Sequence, residues 1–113
     1  MKENLLEILK KLSKTGNFKI LIALNDGSKR WSQLEKLADK KTLSKSINEL
    51  FDLGLIEATI IHDTPTGSKA YQLSPLGKKV VQLLEQIEKE FEEYHSHLPK
   101  EPEKFVNELI EGE

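Results

Sequence analysis

Lys41, Thr42, Ser44, Lys45 and Asn48 are crowded into one short stretch of the chain, and their side chains are of the kinds that grip nucleic acid. Lysine neutralises phosphate or reaches guanine acceptors. Asparagine bonds adenine through two hydrogen bonds, and serine or threonine bonds base edges or phosphate oxygens. With Leu43 at zero and an advance of about 100° per residue, Ile47 and Leu50 fall within about 40° of it. A helix over residues 42–52 therefore has one apolar face. Its opposite face carries Lys41, Lys45, Asn48 and Asp52, flanked by Ser44 and Glu49. Further candidates lie elsewhere: Lys29 and Arg30 just ahead of a short helix whose N-terminus suits phosphate, and Thr66, Ser68 and Lys69 in a polar turn. Arg30 has a competing use as an ion-pair partner within the protein. A lysine-rich helix face is also what many solvated helices show, so the weight falls on the elements that hold these residues.

Other chemistries find no support in the residues. The chain has no cysteine, which removes thiol nucleophiles, disulfides and thiolate metal sites. It has no glycine-rich phosphate loop, nucleophile elbow or His-Glu-x-x-His run. His95 and His97 stand near Glu92 and Glu93, but residues two apart diverge by about 200° on a helix, while metal ligands need a shared face. No metal, no cofactor and no catalysis are expected.

The elements can be read from periodicity and punctuation. Leu5, Ile8, Leu9 and Leu12 repeat at helical spacing, giving an amphipathic helix over residues 3–13, broken by Thr15-Gly16-Asn17. Phe18, Leu21, Ile22 and Leu24 form a second helix that stops at Asn25-Asp26-Gly27. Residues 28–31 make a short basic connection. Ser32 and Glu35 have the spacing of a capping box and open a short helix through Leu34, Leu37 and Ala38. The helix over 42–52 follows and Gly54 ends it. Residues 55–61 are rich in β-branched side chains and residues 70–73 alternate, so 55–73 is a hairpin with a polar tip at 64–69. Ser74-Pro75 opens another helix, with serine as cap and proline in the first turn. Along it Val80, Leu84, Ile87, Phe91, Tyr94 and Leu98 are spaced 4, 3, 4, 3 and 4 apart, a seam for a second helix. Pro99 and Pro102 close it, and a short terminal helix spans 103–110. Trp31 is expected in the core between the short helix and the hairpin. A ligand pocket formed with Phe18 and Tyr71 is the alternative.

The expected class is mainly α with a small β-hairpin wing: a winged helix-turn-helix in one domain over 1–113, its DNA-binding core at 16–73. The helices over 3–13 and 75–98 would make a dimer through Leu5, Leu9, Val80, Leu84, Ile87, Phe91, Tyr94 and Leu98. Charge agrees with this division: residues 1–81 hold 14 basic and 9 acidic side chains, while 82–113 hold 3 and 10, so the acidic end is suited to lie away from DNA. The longest apolar run, Ile20 to Leu24, is far short of a membrane span, and the charged first residues give no sign of a secretory leader. A cytoplasmic protein is expected, with double-stranded DNA and a second copy of itself as partners and no membrane. A small-molecule effector is left unassigned. The rival function is a winged-helix module that binds protein in a transcription or replication complex.

The runs GNFKILIALNDGSKRWSQLEKL, LSKSINELFDLGLIE and TPTGSKAYQLSPLGKKV resemble the HxlR-type branch of winged-helix transcription regulators. MarR-, PadR- and ArsR-type regulators share the frame more loosely. The resemblance covers roughly residues 16–85 and is carried by Gly27, Arg30, Trp31, Leu34, Leu43, Leu50, Gly54, Leu55, Tyr71, Leu73, Leu76 and Gly77. It implies a regulator that reads DNA through the helix containing Leu43 and Leu50. Two departures stand out. The cysteine usual near the family's N-terminus is absent, and only eight residues separate Leu34 from Leu43, fewer than the family has.

Overall fold

The structure is a computed structural model and describes residues 2–97. The chain divides into two compact units, residues 1–82 and 83–113. Leu98 and the helix expected over 103–110 lie outside the described residues.

In the first unit, α1 (Lys2–Leu12) and α2 (Thr15–Asn25) lead into β1 (Lys29–Arg30) and a single turn of helix, α3 (Trp31–Leu34). Then come α4 (Lys40–Asp52), β2 (Ile56–Ile61), β3 (Ser68–Leu73) and the start of α5 (Pro75–His95). The three strands form an antiparallel sheet in the order β1-β3-β2. β2 and β3 pair from Ile56 with Leu73 to Ile61 with Ser68, and β1 adds Lys29 opposite Tyr71 and Arg30 opposite Ala70. This is the mainly helical winged helix-turn-helix that the pattern of elements predicts.

Three local expectations are corrected. Thr15, Gly16 and Asn17 do not break a helix; they are the first turn of α2, and the break falls at Ser13-Lys14. The reason is tertiary: Gly16 lies so close to α4 that an added Cβ would meet Ser46 Oγ at 2.7 Å and Thr42 Cγ2 at 3.0 Å. The connection at 28–31 is not plain loop, because β3 supplies backbone partners for Lys29 and Arg30. The short helix is not capped by Ser32 and Glu35. Its cap lies two residues earlier, at Arg30, whose N–H donates to Gln33 Oε1 at 2.9 Å, and it ends at Leu34, leaving Leu37 and Ala38 beyond the helix.

That early end accounts for the short link before Leu43. α4 starts at Lys40 rather than Thr42, because Asp39 accepts from the Thr42 N–H at 2.8 Å and from its hydroxyl at 3.2 Å. An oxygen acceptor at this place satisfies a free amide of the first turn. The Thr42 N–H first and its hydroxyl second hold the Asp39 carboxyl below its ordinary value.

The core is made by Ile20, Leu21 and Leu24 of α2, Leu34 of α3, Leu43, Ile47 and Leu50 of α4, Leu55, Ile56, Ala70, Tyr71 and Leu73 around the hairpin, and Val81 of α5. Each large aliphatic side chain so buried contributes on the order of 1.5–3 kcal/mol. Trp31, expected in the core, is only half-buried at the start of α3, with its ring 6.4 Å from that of Tyr71. Phe51, not Phe18, is the other aromatic neighbour of Tyr71, edge-on at 5.9 Å, and Phe18 is exposed on α2.

Two corners lock together where the hairpin meets α5. The Ser74 N–H donates to the Leu55 carbonyl at 3.0 Å. The Ser74 hydroxyl donates to the Gly54 carbonyl and accepts from the Gly77 N–H at 2.9 Å. Gly54 itself needs a φ of +76°, closed to most side chains. Gly77 is required for space: a Cβ there would overlap the Leu55 carbonyl.

The part of α5 beyond residue 82 is a regular helix with exposed Leu83, Ile87, Phe91 and Tyr94. His95 stacks on Phe91 at 4.0 Å between ring centres, with its Nδ1–H donating to the Phe91 carbonyl at 2.8 Å.

Gly77→Ala is expected to destabilise the protein by at least about 2 kcal/mol, an overpacking cost against rigid backbone. A urea titration followed by circular dichroism measures it, and an unchanged midpoint would show that the two corners are not in close contact.

Candidate nucleic-acid interface

The orientation of α4 follows from its buried side. Leu43, Ser46, Ile47 and Leu50 face inward, and Lys41, Thr42, Ser44, Lys45 and Asn48 are all exposed, so five candidates share a solvent-facing surface. Among the described residues no ion pair engages Lys41 or Lys45. The Lys45 and Asn48 side chains open onto a groove of about 470 Å³ between α4 and the α1–α2 turn, rimmed also by Lys11 and Lys14. Thr42 lines the same groove but is already engaged. Its hydroxyl is already given to Asp39 and its methyl approaches Gly16, so it helps build the start of the helix.

Glu49 is the residue whose role the sequence did not reveal. It is not a loose acid at the end of the exposed face. Its carboxylate receives Lys14 Nζ at 2.9 and 3.0 Å and Asn17 Nδ2 at 2.9 Å. Asn17 is buried and also donates to the Lys11 carbonyl at 2.9 Å. This network ties the α1–α2 turn to the middle of α4 and fixes the tilt at which α4 presents its lysines. Spacing gives no signal for it, because the sequence pattern puts Asn17 in a break between two helices.

The remaining candidates cluster at the wing. Lys29 and Arg30 are half-buried on β1. Arg30 forms an ion pair with Asp63 in the β2–β3 turn, and Ser68 donates to the other Asp63 oxygen at 3.2 Å. The internal use of Arg30 is thus the one present. Lys69 is exposed but leans over Tyr71, its nitrogen 5.6 Å from the ring centre, a cation–π placement. Thr66 is exposed at the tip.

Of the apolar residues expected to meet a second copy, Leu5 and Leu9 on α1 and Ile87, Phe91 and Tyr94 on α5 are exposed. Val80 and Leu84 are half-buried. Leu6, Phe18, Ile22, Leu76 and Leu83 are exposed as well. Among the described residues no group of three or more His, Cys, Asp or Glu could hold a metal, and no helix is long and apolar enough to cross a membrane.

The sequence model of the HxlR-like helix-turn-helix family matches residues 4–99. Comparison with curated protein sequences finds no match. Several solved structures share the fold. The reduced form of the transcriptional regulator YodB from B. subtilis has a TM-score of 0.67 at 21% identity, over 88% of this chain and 96% of that one. A MarR-family regulator from Enterococcus faecalis V583 has 0.68 at 19%, over 85% and 90%. The regulator ytfH from Salmonella typhimurium has 0.54 at 27%, over 80% and 86%.

The Lys14 ammonium first, and the Asn17 amide after it, hold the Glu49 carboxyl below its ordinary value despite partial burial. A carboxyl lowered in the folded state adds stability above its unfolded pKa of about 4.3, and that stability is lost as pH falls through the folded value. Glu49→Gln should therefore be less stable than the parent at pH 7, by about 1 kcal/mol for a charge-assisted network of this kind. The gap should close as the pH falls below about 5 and through the lowered folded-state value. Urea unfolding at a series of pH values tests this, and a gap that widens on acidification would reverse the assignment.

Proposed function

The chain belongs to the HxlR-like helix-turn-helix family of DNA-binding transcription regulators, and we propose that it acts as a homodimer that reads a specific operator in the cytoplasm. The observation that carries this is the face of α4. Lys41, Lys45 and Asn48 are exposed together, and among the described residues no ion pair occupies either lysine. Lys41 and Lys45 bind phosphates at the groove edge, and Asn48 meets a base edge. Ser44 adds a hydroxyl between them. Two such helices related by a two-fold axis enter successive major grooves about 34 Å apart. Lys29 and Lys69 are placed to neutralise flanking phosphates.

The exposed apolar residues of α1 and α5 support the dimer. Leu5, Leu9, Ile87, Phe91 and Tyr94 would leave a monomer with more exposed apolar surface than soluble monomers usually carry. A second copy covers the apolar residues of each helix.

Redox sensing through thiols is not open to this protein. YodB structures are described in reduced, diamide-treated and quinone-bound forms. This chain has no cysteine, and Met1 is its only methionine. Any signal reaching it acts through other chemistry.

The test is a fluorescence-anisotropy titration with duplex fragments at several salt concentrations. Lys45→Ala should weaken all sequences alike and make the salt slope shallower by about 0.9 per lost phosphate contact, about 1.8 for a dimer. Asn48→Ala should instead lower the preference for the best site by about 1–3 kcal/mol. Undetectable duplex binding at about 50 mM salt would transfer this face to a protein partner.

For assembly, sedimentation should show a dimer at micromolar concentration. Leu84→Asp with Phe91→Asp, which sets carboxylates in an apolar contact, should raise the dimer dissociation constant by at least about 100-fold. A wild-type monomer at that concentration would remove the two-fold operator.

A further inference from the structure

Arg30 is the only arginine of the chain, and Asp63 is the only acidic residue between Glu57 and Glu85. The fold brings these two together at the turn end of the sheet. Arg30 closes β1 opposite Ala70, and Asp63 stands in the turn between β2 and β3. One Asp63 oxygen takes the Arg30 guanidinium and the other takes the Ser68 hydroxyl at 3.2 Å.

The turn does not depend on this carboxylate for its shape. The pairing of Ile61 with Ser68 closes the hairpin, the Gly67 N–H donates to the Thr64 carbonyl at 3.1 Å, and Gly67 takes a φ of +77°. The pair is also open to water, with side-chain exposures of 35% for Arg30 and 39% for Asp63. Partly exposed ion pairs are weak and readily exchanged.

An arginine fork and a hydroxyl converging on two oxygens of a single anion form the donor set that binds a phosphodiester. The geometry points to Arg30 and Ser68 as a phosphate site of the wing that Asp63 occupies in the free protein: Asp63 stands in for DNA and must give way to it. Only the fraction of molecules with Arg30 released can bind at this site, so the apparent affinity is lowered by that fraction. Asp63 thereby restrains sequence-independent binding and leaves discrimination to the face of α4. This inference rests on the DNA-binding reading given above.

The experiment compares four proteins on one labelled duplex of arbitrary sequence by fluorescence anisotropy, from about 50 to 200 mM salt. They are the wild type, Asp63→Asn, Asp26→Asn and the double variant Arg30→Ala/Asp63→Asn. Asp26 is exposed at the end of α2, so its variant controls for the loss of one negative charge. Asp63→Asn should bind at least about 5-fold tighter than Asp26→Asn, with a salt slope steeper by about 0.9 per protomer. The gain should vanish in the double variant. If the wild type binds duplex but Asp63→Asn gains no more than Asp26→Asn, or if the gain survives removal of Arg30, the inference falls and the DNA-binding reading stands. If neither the wild type nor Asp63→Asn binds duplex, both fall.

Discussion

Leu43, Ile47 and Leu50 are spaced so that burying one of them buries all three, and this decides which side of α4 meets solvent. A rotation of the helix by a third of a turn would expose several kcal/mol of apolar side chain and bury lysines without partners. The exposed face is therefore what the core leaves over. Everything proposed for Lys41, Lys45 and Asn48 depends on that coupling. The wing and the start of α5 depend on it as well, because α4 runs through Gly54 into the corner where Ser74 and Gly77 close on Leu55.

Burial fixes the rotation of α4 but not its tilt or its starting point. Those are set by polar contacts at two places along it. Asp39 determines where the helix begins. Glu49, held by Lys14 and Asn17, ties its middle to the α1–α2 turn. The close approach of Gly16 to Ser46 brings the two helices near enough for the tie to form. The lysine face is thus positioned by an acid on the same helix, one that composition alone would count against DNA binding.

This separates what could be read in the sequence from what could not. The apolar stripe of α4, the hairpin, the Ser74-Pro75 start of α5 and the face carrying the candidate residues all rest on neighbours within about four positions, where spacing carries the information. The errors have a common origin in distant contacts. β1 exists because β3 offers partners some 40 residues away. The first turn of α2 survives its glycine because α4 lies against it. Glu49 looks like a free charge until the fold supplies Lys14, and spacing allows Arg30 an internal ion pair without naming its partner, which the fold supplies in Asp63.

The charge arrangement explains how a chain of net charge −2 can present a basic face to solvent. Net charge governs long-range attraction, but at physiological salt that attraction is screened beyond about 8 Å. What a phosphate meets is local. On α4 the neighbouring acid Glu49 is turned inward onto Lys14, leaving Lys41 and Lys45 to solvent. At the wing, Asp63 is turned onto Arg30 instead. The same device, an acid folded back on a base, thus acts in opposite senses at the two places. On α4 the acid is taken up by a lysine outside the exposed face, so the cations that face solvent keep their charge. At the wing the acid takes up the cation itself. On the reading proposed above, affinity for any duplex is then held down at the wing, where contacts carry no sequence information, while the α4 face proposed to distinguish bases is left free. Specificity is a ratio of affinities, and lowering the indiscriminate part raises it as effectively as adding a base contact.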